Sequence, residues 1–422
     1  IVKCVQEDGA LIIFDGLDEV IVHMEPDRAR RFVRELWRVM PPAKRIENTT
    51  PGKMIISCRS HYFKDVWSQH KMFTGEGREG IRSEDYEAAI LLPFNEDQIR
   101  EYITLTHGED KVDDVWNLFQ SIHNLAELAS RAYLLSEMVD LVTELEDMKA
   151  QGQTVLGVTL YNLMVRNWLN RDNGKHHFSD TEKRVMMEEL AVEMHRSKLR
   201  EWKWERVEKW LTKFLSREKE IADSLRSTHN EVLREDLRTA TFLLRPDTSK
   251  ESFRFAHTSM QEFFLASFLY RSLEEGQLDA WDLPMPSIET LDFFGQLLKC
   301  EHTETQIQSL NQILESSPNL VAFRYWVLAA ERDYPVPTTR CAKLSGLDLA
   351  EWSICGLDLQ GVDLSRANLH CAVLEKVNLQ GANFFGAILQ SAELRDVDLS
   401  SADLNEAHCD CAVFRDCVAH QL

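Results

Sequence analysis

The sequence predicts a multidomain chain with an α/β segment first, a helical region next and a β solenoid at its C-terminal end. Three observations support this prediction. Short apolar runs alternate with a helical pattern in residues 1–93, amphipathic helical patterns fill most of 94–332, and a five-residue period extends through 341–422. With 422 residues, the chain is longer than one hydrophobic core usually organises, so we expect several domains.

Two apolar runs in the first segment have the features of strands. Residues 10–14 and 53–57 are each bounded by Gly and by Asp or Arg, and a helical pattern lies between them from about residue 26 to residue 40. Strands covered by helices on both faces read as nearly continuous apolar runs. The pattern therefore predicts buried parallel strands in an α/β sheet.

An acidic cluster follows the first of these strands, where Phe14 leads into Asp15, Gly16, Leu17, Asp18 and Glu19. Ligands of open α/β sheets bind at the carboxyl ends of the strands, so the first carboxylate would hold Mg²⁺ beside nucleotide phosphates. Asp18 or Glu19 would then polarise an attacking water. The alternative is that Asp15 only caps the turn after a core strand, with the other two carboxylates in solvent.

The second strand is also followed by a charged residue, because the run from Ile55 continues to Arg59. An arginine at that edge would sense a γ-phosphate; the alternative is a surface arginine after an edge strand. Taken together, the two strands resemble the nucleotide-binding domain of the NACHT class of STAND NTPases. The resemblance implies that Asp15 is the Walker B ligand of Mg²⁺, that Asp18 and Glu19 are the catalytic acidic positions, and that Arg59 reads the terminal phosphate of ATP.

The resemblance continues downstream of the strands. Residues 92–103 resemble the start of the small helical domain of that family, and residues 159–169 resemble the start of its winged-helix domain. Residues 253–266 resemble the end of that domain, and there the family implies that His257 contacts the β-phosphate of bound ADP and locks the inactive state. A hydrogen-bonded core histidine is the alternative.

No P-loop of the form GxxxxGK[ST] occurs in the chain. That loop cradles phosphates with its backbone and neutralises them with its lysine. In the family that the chain resembles, the loop precedes the Walker B strand, where this chain has only a few residues. We therefore expect the chain to be the C-terminal part of a longer protein, with ATPase activity belonging to the intact protein.

The clearest repeat lies at the C-terminal end, where a large residue recurs at every fifth position and a small or apolar residue stands two positions before it. The large positions are Leu344, Leu349, Ile354, Leu359, Leu364, Leu369, Leu374, Leu379, Phe384, Leu389, Leu394, Leu399, Leu404, Cys409 and Phe414. This period fits neither a helix nor a flat strand. It predicts a solenoid whose wall turns every five residues, with both of these side chains inside.

This tract resembles the pentapeptide-repeat family. The resemblance implies a right-handed quadrilateral β-helix with about four pentads in each coil, and hence nearly four coils.

Charge and cysteine content limit the partners and the compartment. The chain has 48 Lys and Arg against 69 Asp and Glu, for a net charge of -21. That balance argues against direct binding to nucleic-acid phosphates, which requires a basic face. There is no apolar run of about 18 residues to span a membrane. The nine cysteines are scattered, which indicates reduced thiols and a cytoplasmic protein.

The domain boundaries expected from these patterns follow the order of the chain. Residues 1–93 are expected to form the C-terminal part of the nucleotide-binding domain, which is a remnant of an α/β P-loop NTPase fold. The segments after it are expected to be a small helical domain at 94–152, a winged-helix domain at 153–272, a helical extension at 273–332, a linker at 333–340 and the β-helix at 341–422.

The function implied by the resemblance is a nucleotide-dependent signalling switch of the STAND class. Such a protein is held inactive by ADP, senses a trigger ligand or protein through its C-terminal repeats, exchanges ADP for ATP with Mg²⁺, and forms a homo-oligomer. Members of the class act in bacterial signalling or in defence against phage. A second hypothesis is a non-enzymatic interaction scaffold, in which an acidic repeat tract mimics DNA.

Overall fold

The computed structural model of the chain divides into two units. The first comprises residues 1–93, 168–186 and 199–258, and the second comprises 94–167, 187–198 and 259–422. The residues that the structure describes are 2–15, 17, 32–33, 35–36, 39, 52–57, 93–121, 129–171, 178–217, 243–244, 252–255, 257–300 and 304–421. Most of the helix expected at about 26–40 lies outside them.

The first unit begins with a short helix and two parallel strands: α1 (Val2–Glu7), β1 (Leu11–Phe14) and β2 (Lys53–Ile56). Phe14 is in register with Ile56, which confirms the predicted parallel pairing.

The prediction that both strands are buried is wrong for one face of this pair. Leu11, Ile13 and Ile55 are each more than half exposed. Among the described residues no third strand joins the pair. A parallel sheet buries both faces only when further elements cover it.

Five helices follow along the chain: α2 (Glu96–His107), α3 (Val112–Ser121), α4 (Ala132–Ala150), α5 (Gly157–Arg171) and α6 (Asp180–Arg196). Two of them start with reciprocal capping bonds. Before α2, Asn95 Oδ1 accepts from Gln98 N at 2.9 Å while Asn95 N donates to Gln98 Oε1 at 3.0 Å. Before α6, Ser179 and Glu182 exchange the same pair of bonds, as expected for the capping-box sequence Ser179-Asp180-Thr181-Glu182.

A small antiparallel sheet in the first unit has the strand order β3–β5–β4, with β3 (Trp202–Lys203), β4 (Leu243–Leu244) and β5 (Ser252–Phe255). Helix α7 (Trp204–Arg217) begins directly after β3. Its buried side chains recur at helical spacing, and the ring of Trp204 lies 4.9 Å from that of Phe253, so its apolar face packs toward the sheet.

Four helices complete the helical part of the second unit: α8 (Thr258–Glu274), α9 (Ile288–Cys300), α10 (Glu304–Ser316) and α11 (Leu320–Arg332). The core forms around α8, which is buried on almost every side. Tyr161 of α5 stacks on Phe263 at 5.5 Å and meets Phe293 edge-on at 4.8 Å. Its hydroxyl donates to Ser259 Oγ at 2.8 Å, so the buried polar end of this tyrosine is satisfied.

One ion pair lies inside this core. The Glu188 side chain is 2% exposed, and its carboxylate accepts from Ser267 Oγ at 2.6 Å and from Arg271 Nε at 2.7 Å. The same guanidinium also pairs with Glu275 at 3.0 Å. Burial alone would lower the pKa of Arg271, but the charge of Glu188 and its hydrogen bond more than offset this, so the pKa is raised.

A second polar cluster joins α9 to the end of α11. Asp292 accepts from the Tyr334 hydroxyl at 2.7 Å and from Gln296 Nε2 at 2.7 Å, and it pairs with Arg332. Burial, with the hydrogen bond to Asp292 second, raises the pKa of Tyr334. The ring of this tyrosine lies directly against Gly295 of α9.

The C-terminal repeats form a stack of parallel strands: β6 (Ser353–Cys355), β7 (Val373–Glu375), β8 (Glu393–Arg395) and β9 (Val413–Arg415). Each strand is in register with the strand twenty residues further on. Twenty residues make four pentads, which is the coil length that the resemblance implied. The large positions from Leu344 to Leu399 are buried.

Every pentad turns its corner with the same backbone conformation. Each fifth residue from Gly346 to Gln421 has a φ between 51° and 71°, although most of these residues are not glycine. The left-handed conformation costs a non-glycine residue roughly 1–2 kcal/mol. The coils offset part of that cost with a hydrogen bond from the corner amide, as from Arg366 N to Phe385 O at 2.9 Å.

Substituting alanine at two glycine corners should destabilise the repeats to different degrees. A Cβ at Gly361 would lie 3.0 Å from the carbonyl oxygen of Arg340, whereas a Cβ at Gly381 would meet nothing within 4 Å. Gly381→Ala should cost about 1 kcal/mol through its backbone alone, and Gly361→Ala about 1 kcal/mol more. Urea unfolding of the two variants measures the difference, and equal midpoints would contradict the close approach at Gly361.

The last coil differs from the predicted interior. Cys409 is exposed and Phe414 is 43% exposed, although both stand at large positions of the repeat. An interior side chain is covered by its equivalents twenty residues before and after it, and no described coil follows this one. The prediction that these two residues are buried is therefore wrong.

The helices that the structure describes include none that is both long enough and apolar enough to cross a membrane.

Candidate functional site

The carboxyl edge of the parallel pair brings Asp15 and Ser57 together. Because Phe14 and Ile56 are in register, the residues after them leave the two strands side by side. Ser57 N donates to Phe14 O at 2.9 Å, Leu17 N donates to Ser57 O at 3.0 Å, and the Ser57 hydroxyl donates to Asp15 Oδ1. These bonds fix an exposed carboxylate at the edge where α/β sheets bind ligands.

The donor atoms at this edge suit Mg²⁺. The ion is usually held in proteins by one or two carboxylates, with phosphates and waters as its other ligands. Asp15 supplies an exposed carboxylate, and among the described residues its Oδ2 atom has no hydrogen-bond partner. The residues present therefore fit an ion held by Asp15 and by the phosphates of a nucleotide.

Three of the predicted site residues, Asp18, Glu19 and Arg59, lie outside the described residues. His257 is described. It is half-buried and occupies the turn between β5 and α8, with α8 beginning at the next residue. The end of a strand in the small sheet thus sets its position.

Sequence reasoning assigned no role to Ser57, which the structure places against the first predicted metal ligand. A signal was present in the sequence, because Ser57 follows its apolar run as Asp15 follows the first run. The register of the two strands was needed to pair them.

Within the second unit, the repeats join the helices before them through a packed junction. Lys343 N of the first coil donates to Leu314 O of α10 at 2.7 Å. Trp352 stacks on Phe323 of α11 with 5.8 Å between ring centroids, and the Arg324 guanidinium lies 5.0 Å from the Trp352 ring. The first coil is therefore fixed to the helices before it, rather than tethered by a loose linker.

Two family models match the chain. Residues 131–269 match the winged helix-turn-helix domain C-terminal to NACHT. Residues 342–384 match pentapeptide repeats, in eight copies. The first match covers most of the segment in which the sequence predicts a winged-helix domain, and the second begins where the five-residue period begins. The two matches confirm the resemblances to a NACHT-type protein and to pentapeptide repeats that the sequence suggested.

Similar proteins are found for parts of the chain. An uncharacterized WD repeat-containing protein, alr3466, of Nostoc sp. strain PCC 7120 is 26% identical over 168 residues, which are 38% of this chain and 10% of that protein. This chain thus spans about a tenth of that relative.

Two solved pentapeptide-repeat structures from the same cyanobacterium also match. HetL, involved in heterocyst differentiation regulation, is 38% identical over 17% of this chain and 34% of that one, with a TM-score of 0.16. The protein alr5209 is 26% identical over 18% of this chain and 84% of that one, with a TM-score of 0.12.

Along the chain, the strand-edge carboxylate of Asp15 comes first, the segment that matches the winged-helix model comes second and the repeats come last. The chain thus carries a segment that matches the winged helix-turn-helix domain C-terminal to NACHT, followed by a tract that matches pentapeptide repeats.

Proposed function

We propose that this chain belongs to a nucleotide-dependent signalling switch of the STAND class, held inactive by ADP and activated through its repeats. The observation that carries the proposal is the match of residues 131–269 to a domain that follows NACHT. The carboxylate of Asp15 at the end of a parallel strand, upstream of that domain, supports it further.

The site residues would divide the work of nucleotide binding. Asp15 would hold Mg²⁺, Arg59 would read the terminal phosphate of ATP, and His257 would contact the β-phosphate of ADP. Bound Mg²⁺ supplies positive charge that neutralises the phosphates. Asp18 and Glu19 would orient and polarise the water for hydrolysis in the intact protein. ADP and ATP shift the switch only if they bind its two states with different affinity.

The repeats would form the sensor, as a right-handed quadrilateral β-helix. The packed junction with α10 and α11 gives a bound trigger a rigid path to the helical extension at 273–332. Trigger binding would favour the open state, exchange of ADP for ATP and assembly into a homo-oligomer. We place this protein in the cytoplasm, in signalling or anti-phage defence.

Removing the histidine latch should weaken ADP retention. We expect His257→Ala, expressed from the longest reading frame that contains this sequence, to co-purify with less ADP per chain and to assemble more readily. Chromatography of the nucleotide released on denaturation measures the ADP, and light scattering measures the assembly.

His107→Ala is the matched control, because His107 is also half-buried, lies at the end of α2 and has no role in the proposed latch. An unchanged ADP content in His257→Ala would count against the latch. Absence of bound nucleotide from the unsubstituted protein would instead favour the interaction scaffold.

A further inference from the structure

A groove of about 550 Å³ runs along one outer wall of the repeats. Its shape follows from the corner residues, since Gly346 and Gly386 stand one coil before and one coil after Arg366 and have no side chains. The side chains that line the groove are those of Ser345, Ser365, Arg366, Asn383, Phe385 and Asp403.

The acidic and amide groups of this wall are already engaged. Asp403 Oδ1 accepts from the backbone N of Asn405 at 3.0 Å and from its Nδ2 at 2.7 Å. Asn383 accepts from Phe385 N at 3.0 Å and donates to Asp363 Oδ1 at 3.0 Å. The Oδ1 atoms of Asp363 and Asp403 thus accept bonds from neutral amides, and within the described part of the chain neither carboxylate forms an ion pair with Arg366.

Arg366 is the one cationic side chain among the residues that line the groove. It is exposed, and its guanidinium forms no ion pair or hydrogen bond within the described part of the chain. The hydroxyl groups of Ser345 and Ser365 likewise have no hydrogen-bond partner among the residues described. A guanidinium binds carboxylates with two parallel bonds, and hydroxyls can donate a third.

Phe385 adds an apolar surface next to this charge. Its equivalents one coil before and after are Ser365 and Asn405, so a half-buried aromatic ring stands in a polar column. The backbone of Arg366 bonds directly to that of Phe385, at 2.9 Å. The two side chains therefore start from adjacent rungs, roughly 5 Å apart.

We propose that this groove binds an extended segment of a protein trigger that carries one carboxylate next to an apolar side chain. The carboxylate pairs with Arg366, and the apolar side chain packs on Phe385. An extended chain advances roughly 3.3 Å per residue, so the two ligand groups lie one or two residues apart. This inference rests on the proposed role of the repeats as the sensor.

The charge of the repeats makes the recognition selective. Acidic residues outnumber basic ones in 341–422 by more than two to one. A polyacidic segment is repelled by that surface, whereas a segment with a single carboxylate placed on Arg366 is not. The groove thus selects a segment by the position of its carboxylate rather than by its net charge.

Fluorescein-labelled hexapeptides test the inference directly. The probes are glycine-serine-glutamate-X-serine-glycine, with leucine, isoleucine, methionine or phenylalanine at X, together with the same four peptides carrying glutamine for glutamate. Fluorescence polarisation with the full chain should show about tenfold or tighter binding of at least one glutamate peptide over its glutamine isostere. Arg366→Gln should remove that difference, and Phe385→Ser should weaken both members of the pair.

Arg415→Gln is the matched control, because Arg415 is also an exposed arginine of the repeats without a side-chain ion pair among the described residues. It should leave the preference unchanged, and unfolding midpoints should show that all variants are folded. Equal or absent binding of the two peptide sets, or a preference that survives Arg366→Gln, overturns the inference.

ADP retention is measured separately and without peptide. The proposed switch and this groove can therefore fail independently of each other.

Discussion

Arg271→Met is expected to lower the free energy of unfolding of the second unit by about 3–5 kcal/mol, because it leaves a buried carboxylate without its cation. The Glu188 side chain is 2% exposed and has Arg271 as its charged partner at 2.7 Å. The Ser267 hydroxyl would remain, but one neutral donor does not replace a guanidinium. Urea unfolding followed by far-ultraviolet circular dichroism measures the loss.

Two further variants separate the buried pair from ordinary surface electrostatics. Arg166→Met removes an ion pair with Glu144 at 2.8 Å in which both side chains are exposed, and it should cost about 1 kcal/mol or less. Adding Glu188→Gln to Arg271→Met removes the uncompensated charge and should recover part of the stability. A loss for Arg271→Met no larger than that for Arg166→Met would contradict the role of this pair.

Gly295→Ala is expected to destabilise the same unit by about 2–3 kcal/mol, since the added methyl group overpacks the helix against a ring. A Cβ there would lie 2.2 Å from Cδ2 of Tyr334, too close for any real contact. The ring cannot retreat freely, because its hydroxyl is bonded to Asp292. The sign of the change in the free energy of unfolding is diagnostic, because helix propensity alone predicts that alanine stabilises the unit by about 1 kcal/mol.

Tyr334→Ala identifies the cause of that effect. Introduced into the Gly295→Ala background, it should cost less than it does alone, because the clash disappears with the ring. Thermal unfolding of the four proteins gives the coupling free energy. Additive effects would show that the ring and the glycine are not in contact.

Several features that the structure confirms could be predicted from local patterns in the sequence. The reciprocal caps at Ser179 and the five-residue period depend on residues close together in the chain, so their sequence signals are direct. The parallel pairing of β1 and β2 also followed from local composition. The exposure of single side chains could not be predicted in this way, because the burial of Ile13 or Phe414 depends on which elements lie beside it.

In the candidate site too, local features could be predicted from the sequence, whereas contacts between distant residues could not. Asp15 could be placed at the end of a strand from its apolar run, but its bond with Ser57 requires the register of two segments 42 residues apart. His257 was predicted through the resemblance rather than through a local pattern. The roles of all five predicted site residues, Asp15, Asp18, Glu19, Arg59 and His257, remain predictions.

The corner conformation that recurs every five residues restricts how such a tract can change in length over evolution. An insertion of one residue would displace every later side chain by one place, turning interior leucines outward and corners into walls. Gain or loss of five residues keeps the interior but moves each later pentad to a neighbouring wall. Only duplications or deletions of twenty residues preserve both the interior and the identity of every outer surface. The tract can therefore lengthen by copying whole coils, while the sites on its walls diverge by substitution.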